Sequence, residues 1–269
     1  MDKPFKDSFA SLIRSLAEFP EVTAAGKTGG PGMPDDGGDI DIFIFCSHIP
    51  ALRERQEIAR GLGPAANAVM FSETGGRWGT IDIFSLDTTE FCLMYFTEDE
   101  MSADIDSVLD GSRLDKEADG FYPTGRCATM LSLYAFFDKY GYIAGMKERL
   151  SVYPPDLAEK MVKRHLRKAN DAESFERAVS RADALFYHET AENAIGHFLQ
   201  ALFALNGQFF PSRKRTAQYI EEFGIKPRDC VKRLLEMIEL GAGPETLAES
   251  HGVWIELYTE LCDLAGQHV

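Results

Sequence analysis

The sequence predicts an α+β protein, with a mixed α/β sheet domain over residues 1–118 and an all-α helical bundle domain over 119–269. Two observations predict it. Up to about Gly120, short apolar runs of strand length alternate with glycine- and proline-rich turns. Beyond it, longer segments carry helical apolar spacing, punctuated by Pro154-Pro155, Pro211, Pro227 and Gly241-Ala242-Gly243-Pro244. The sequence has no internal repeat and no low-complexity segment, and the domain boundary is expected between Gly111 and Thr124.

The elements follow in order. Phe9, Leu12, Ile13 and Leu16 form a helical stripe, so residues 5–18 are expected as a helix. Strands are expected over 22–25, 40–46, 69–71, 80–86 and 91–96, with a helix over 51–60 separating the first two from the rest. In the second half, helices are expected over 125–139, 155–169, 172–206, 213–223, 228–240 and 245–264.

Composition excludes several classes. A chain of 269 residues buries about 70–75% of its unfolded surface. No apolar run approaches the roughly 20 residues of a membrane span, so no membrane association is expected. Met1-Asp2-Lys3-Pro4-Phe5 is not followed by an apolar stretch, so no signal peptide is expected. Five dispersed cysteines (46, 92, 127, 230, 262) without C-x-x-C spacing read as thiols in a reducing, cytoplasmic compartment. A net charge of −15 argues against broad nucleic-acid binding. It would attract a cationic acceptor at long range, although an acidic surface serving solubility accounts for it equally well.

The chemistry concentrates in Gly37-Gly38-Asp39-Ile40-Asp41-Ile42-Phe43-Ile44-Phe45. A strand puts residues i and i+2 on one face, so Asp39 and Asp41 project together. Two neighbouring carboxylates repel unless a cation neutralises them, and Mg²⁺ suits a few carboxylates plus phosphate oxygens. Asp82, central in the apolar run Thr80-Ile81-Asp82-Ile83-Phe84, is expected to join them. Three such acids hold two metals roughly 3.5–4 Å apart, the spacing of in-line nucleotidyl transfer.

Gly29-Gly30, the loop 31–38, Asp39-x-Asp41 on a strand and Asp82 on a later one resemble the nucleotidyltransferase superfamily of polymerase-β type. The resemblance covers roughly residues 20–90. In size and layout the chain is similar to the aminoglycoside and lincosamide nucleotidyltransferases, which pair a nucleotidyltransferase-like catalytic domain with a C-terminal helical, substrate-binding domain. It implies two Mg²⁺ ions on Asp39, Asp41 and Asp82, an NTP (ATP first) with its phosphates on Thr28, Gly29 and Gly30, and a hydroxyl of a small, antibiotic-like acceptor as target. Such an activity falls in EC 2.7.7. The family's phosphate turn usually reads Gly-Ser, whereas this chain has Gly29-Gly30; backbone N–H groups still serve a phosphate there.

Competing readings of the motif are weaker. An EF-hand loop from Asp35 needs Gly at its sixth position and Glu at its twelfth, where the chain has Ile40 and Cys46. Gly26-Lys27-Thr28 ends like a P-loop, but Glu21 stands in place of the first glycine and Gly-Gly-Pro follows instead of a helix. Solvated acids at strand ends would explain one acid-bearing strand more readily than two.

The helical half offers accessory candidates. Arg181 and His188 are spaced to lie on one face of the long helix expected over 172–206, with Glu189, Glu192 and Asn193 a turn further on. His188, Glu189 and Glu192 are candidates for acceptor recognition. The Arg181/His188 spacing also resembles the HEPN ribonuclease signature, against a solvated helix face as the plainer alternative. Arg213-Lys214-Arg215 is the densest basic cluster; Lys214 or Arg213 is a candidate for the triphosphate, as is Lys27, and a solvated turn is an equal alternative. For the general base, Glu73 is a candidate by position, with Glu189 or Glu192 as alternatives. Function classes left open are the small-molecule transferase, a non-catalytic nucleotide sensor or antitoxin on the same fold, and protein AMPylation. A cleft completed within one chain or between two leaves a homodimer open.

Overall fold

The computed structural model describes residues 3–29, 39–61, 66–72, 75–86 and 89–268. These form two compact units, one built from the chain up to Asp106 plus Thr129–Ser151, the other from Ser107–Ala128 plus Val152 onwards. The chain therefore crosses three times, whereas the sequence expectation had a single crossing at 118/119. The architecture is α+β, as expected. Among the described residues, no helix is long and apolar enough to cross a membrane.

The first unit runs α1 (Lys3–Glu18), β1 (Val22–Lys27), β2 (Asp39–Cys46), α2 (Leu52–Gly61), β3 (Ala66–Phe71), β4 (Thr80–Leu86), β5 (Thr89–Thr97) and α3 (Glu98–Leu109). After α4 (Thr124–Ser132) come β6 (Tyr134–Asp138) and α5 (Tyr142–Leu150). The six strands form one sheet in the order β3-β4-β5-β2-β1-β6. All neighbours are antiparallel except β2 and β5, which run parallel. Alternation in β2 explains the core: Ile40, Ile42 and Ile44 point to one face, where they are buried with Leu12 and Leu16 of α1, Ile58 of α2, and Phe91, Leu93 and Tyr95 of β5. On the other face, Phe43 stacks on Phe96 with centroids 6.1 Å apart, and Phe45 meets Tyr142 of α5 at 5.1 Å. That face is thus closed over the C-terminal half of β2, while Asp39 and Asp41 at its start are exposed.

Several elements depart from expectation, and α5 was not expected at all. The helix expected over 125–139 stops at Ser132, and Tyr134–Asp138 instead extends the sheet beside β1. Gly26 allows this close pairing, because a Cβ there would lie 2.9 Å from the Tyr134 carbonyl oxygen. Helix α3 begins with a capping box: Thr97 Oγ1 accepts from Glu100 N–H at 3.1 Å, and the Glu100 carboxylate accepts from Thr97 N–H at 2.9 Å. The helix expected over 172–206 is two, α7 (Ala172–Ser180) and α8 (Ala184–Leu205). They are divided by Ala182 at φ 50° and by Asp183, whose side chain caps α8 by accepting from Phe186 N–H at 3.1 Å.

The second unit is helical, adding α6 (Pro155–Ala169), α9 (Thr216–Glu222), α10 (Cys230–Leu240) and α11 (Leu247–His268). Helix α8 is its centre, buried almost all round from Ala194 to Leu205. Trp254 of α11 packs on Phe198 of α8 and on Phe175 of α7, at 5.6 and 6.0 Å. A buried relay locks three helices: Tyr187 Oη donates to Ser250 Oγ (2.7 Å), which donates to the Met237 carbonyl (2.6 Å).

Gly26→Ala tests the strand exchange in the sheet. The added methyl would press on the Tyr134 backbone, so the variant should lose about 1–3 kcal/mol in urea unfolding. An unchanged midpoint would mean that β6 does not sit against β1 as described.

Candidate functional site

Register decides which acids share a face. Across the parallel pair β2/β5, Asp39 stands opposite Glu90 and Asp41 opposite Cys92. Paired residues point the same way, so Asp39, Asp41 and Glu90 occupy one solvent-facing patch with Cys92 beside Asp41. The electrostatics agree: burial first, then the charges of Asp41, Glu90 and Asp39, push the Cys92 thiol up to about 11. Lys27, the last residue of β1, pairs with Ile42, so Thr28 and Gly29 leave β1 alongside the start of β2. Gly29 has φ 84°, a left-handed turn conformation that glycine adopts without strain, and nothing among the described residues would crowd a side chain there. Gly30, the loop 31–38 and Glu73 lie outside the described residues. Among the described residues, no three acids, histidines or cysteines are placed to hold a metal ion together.

Asp82 does not join this patch. It pairs with Leu93, which pairs with Ile42, so its row points to the opposite, helix-covered face. There it is 1% exposed and forms an ion pair with Arg55 of α2. Arg55 also donates to the Ser72 carbonyl at 2.7 Å and to the Pro50 carbonyl at 3.2 Å, which satisfies its guanidinium on three sides. Burial pushes the Asp82 carboxyl up to about 6 against the lowering effect of Arg55. The buried Tyr95 phenol beside it is pushed up in turn by burial and by the Asp82 charge. The expected metal ligand is therefore a buried structural carboxylate. Lys27 shares that inward row, is buried, and has its pKa lowered by burial, so it too points away from Asp39 and Asp41.

In the helical unit, His188 and Glu189 are exposed on α8. Arg181 caps the C-terminus of α7, so the expected stripe joining it to His188 on one helix is absent. Glu192 is engaged by Lys116 at 3.0 Å and Arg213 at 3.2 Å. Arg213 also donates to the Glu192 carbonyl, leaving Lys214 as the exposed member of the pair proposed for phosphate.

Residues 122–215 match a family model described as a domain of unknown function (DUF4037). No curated protein matches the sequence. In structure the chain is similar to a nucleotidyltransferase-like protein from Exiguobacterium sibiricum 255-15, with a TM-score of 0.49 and 12% identity, over 96% of this chain and 75% of that one.

Glu90 is the residue that sequence reading missed. Its signal was present, an acid opening the apolar run Phe91–Phe96, but its partner strand was not visible locally. Asp82 misled for the converse reason, because Thr-Ile-Asp-Ile-Phe repeats the alternation of β2 while its register turns the acid to the other face.

Removing one partner of the buried pair should be costly. Arg55→Ala leaves a buried carboxylate unpaired and should lose about 3–5 kcal/mol at pH 7, whereas Arg55→Met with Asp82→Leu should be close to neutral. The pH dependence follows from the raised folded-state pKa. The stability that Asp82 contributes is complete below about pH 4 and is lost as pH rises through about 6. Relative to the native protein, the double variant should thus gain up to about 3 kcal/mol between pH 4 and 7 in urea titrations. A pH-independent difference would show that the Asp82 proton does not titrate with folding.

Proposed function

We propose that the chain is a Mg²⁺-dependent nucleotidyltransferase that moves a nucleoside monophosphate from an NTP, ATP first, to a hydroxyl of a small acceptor. The observation that carries this reading is the shared, solvent-facing patch of Asp39, Asp41 and Glu90 beside the Thr28-Gly29 turn. Carboxylate oxygens open to solvent fit Mg²⁺, which takes one or two protein ligands and completes its shell with water and phosphate. Asp39 and Asp41 would hold it. When bound, it would neutralise the triphosphate charge and ease ionisation of the acceptor hydroxyl.

The chain's own groups do the rest. Backbone N–H groups of the Thr28-Gly29-Gly30 turn would receive phosphate oxygens. Glu90, in register beside Asp39, is assigned the general-base role, taking the acceptor's hydroxyl proton. The freed oxygen bonds to the α-phosphorus, the bond from that phosphorus to the bridging oxygen breaks, and pyrophosphate leaves with the electron pair. Asp82 has no part in this chemistry.

Thermal unfolding with each NTP, with and without Mg²⁺, tests the reading. A nucleotide at a hundred times its dissociation constant adds about 2.7 kcal/mol, several degrees for this chain length. The shift should require Mg²⁺, vanish in Asp39→Asn with Asp41→Asn, and persist in the Arg55→Met/Asp82→Leu variant. Glu90→Gln should retain the shift but lose turnover once an acceptor is found. Absence of a Mg²⁺-dependent shift with every NTP would overturn the enzyme; a shift without transfer to any acceptor would point to a sensor instead.

A further inference from the structure

We propose that the outward face of β5, β4 and β3, beside the carboxylate patch, seats the acceptor, and that this acceptor is an alcohol with an extended apolar face rather than a sugar or a polyamine. The proposal rests on the transferase reading for what occupies the face, and on strand register for the face itself.

Two rows of side chains cross the sheet there. Strand pairing carries Asp39 to Glu90, Glu90 to Ser85 and Ser85 to Asn67, so one row is polar throughout. The next runs Asp41, Cys92, Ile83, Met70, acidic at β2 and apolar from β5 to the sheet edge. Opposed residues share a face, so both rows point away from the helix-covered core. Exposure agrees: Cys92 and Ile83 are half-buried and Met70 is 42% exposed, whereas the alternate residues Asp82, Phe84, Phe91 and Leu93 are buried on the opposite face. Ile81, half-buried one row further along β4, widens the apolar strip. From Cys92 to Met70 is two strand spacings, about 10 Å, the span of a fused bicyclic ring. A sheet with one face on a core ordinarily turns polar residues to the other, and Ile81, Ile83 and Met70 break that alternation next to the acids.

Topology selects the occupant. The Thr28-Gly29 turn leaves β1, on one side of β2, while Glu90, Ile83 and Met70 stand on β5, β4 and β3, on the other. With the triphosphate on the β1 side, a hydroxyl attacking in line with the departing pyrophosphate arrives from the β5 side, past Glu90. The rest of that molecule then lies over Cys92, Ile83 and Met70, with Ser85 and Asn67 along one edge. Apolar area on the strip leaves water favourably, whereas an ammonium or a dense set of hydroxyls would lose its hydration to three apolar side chains. Ser85 and Asn67 both donate and accept, which suits a neutral polar edge.

Equilibrium dialysis of the full chain tests this, with 2-naphthalenemethanol, cyclohexylmethanol, myo-inositol and 2-deoxystreptamine as probes, alongside the Mg²⁺-dependent nucleotide shift. At least one of the apolar alcohols should bind saturably, and more tightly than the inositol or the diamine. Ile83→Thr with Met70→Ser should weaken it about tenfold and leave the nucleotide shift as in the native protein. Met70→Ser alone, at an exposed position of the edge strand, should weaken it about threefold and stands in should the double variant not fold. Four results would overturn the proposal: neither alcohol saturating up to about 1 mM, tighter binding of the inositol or the diamine, affinity indifferent to the variants, or a nucleotide shift diminished by them, which would give the strip to the nucleobase. Failure of the transferase reading looks different. Variant-sensitive alcohol binding without any nucleotide shift would overturn the enzyme and keep the strip as a site for such alcohols, whereas a nucleotide shift without alcohol binding would overturn the strip alone.

Discussion

Burial of Ile40, Ile42 and Ile44 under α1 and α2 is the constraint on which the first unit depends, because it leaves Asp39 and Asp41 no choice of face. A one-residue slip of β2 would put two carboxylates into the core and three isoleucines toward water. Both consequences are unfavourable, so the register is held from both sides of the sheet. The exposure of the acids is thus produced by packing on the far face. β5 inherits the same constraint through its parallel pairing, since Phe91, Leu93 and Tyr95 go inward and leave Glu90 and Cys92 beside the acids.

The Arg55–Asp82 pair belongs to that inner face and explains a feature the apolar residues alone would not. Arg55 bonds to Pro50, Asp82 and Ser72, tying α2 at once to its own entry turn, to β4 and to the residue that follows β3. Apolar residues in its place would pack, but they would not require one orientation of α2 against that edge of the sheet. Burial raises the Asp82 pKa although Arg55 acts to lower it. The pair therefore contributes position more than stability.

Much of the fold was legible because period and punctuation are local. Thr80–Leu86 and Pro155–Ala169 have the bounds expected from alternation, helical spacing and flanking prolines. What was not legible depends on distant partners. β6 is a strand because β1 offers it an edge and Gly26 lets it approach, facts held more than a hundred residues upstream. The start of α3 was readable in principle, as Thr97-Glu98-Asp99-Glu100 spells a capping box. At the site, Asp39 and Asp41 stood out because their shared face follows from adjacency alone. Glu90 and Asp82 lie on the faces opposite to those expected because the face of a residue on another strand is set by register, which local pattern does not contain.

The same distinction governs ligand chemistry. The net charge of −15 suggests a cationic ligand when summed over the chain. In the helical unit, Asp115 and Glu192 are each met by two cations at contact distance. Long-range attraction is screened beyond about 8–10 Å, so the acidic surface influences encounter more than it selects what stays bound.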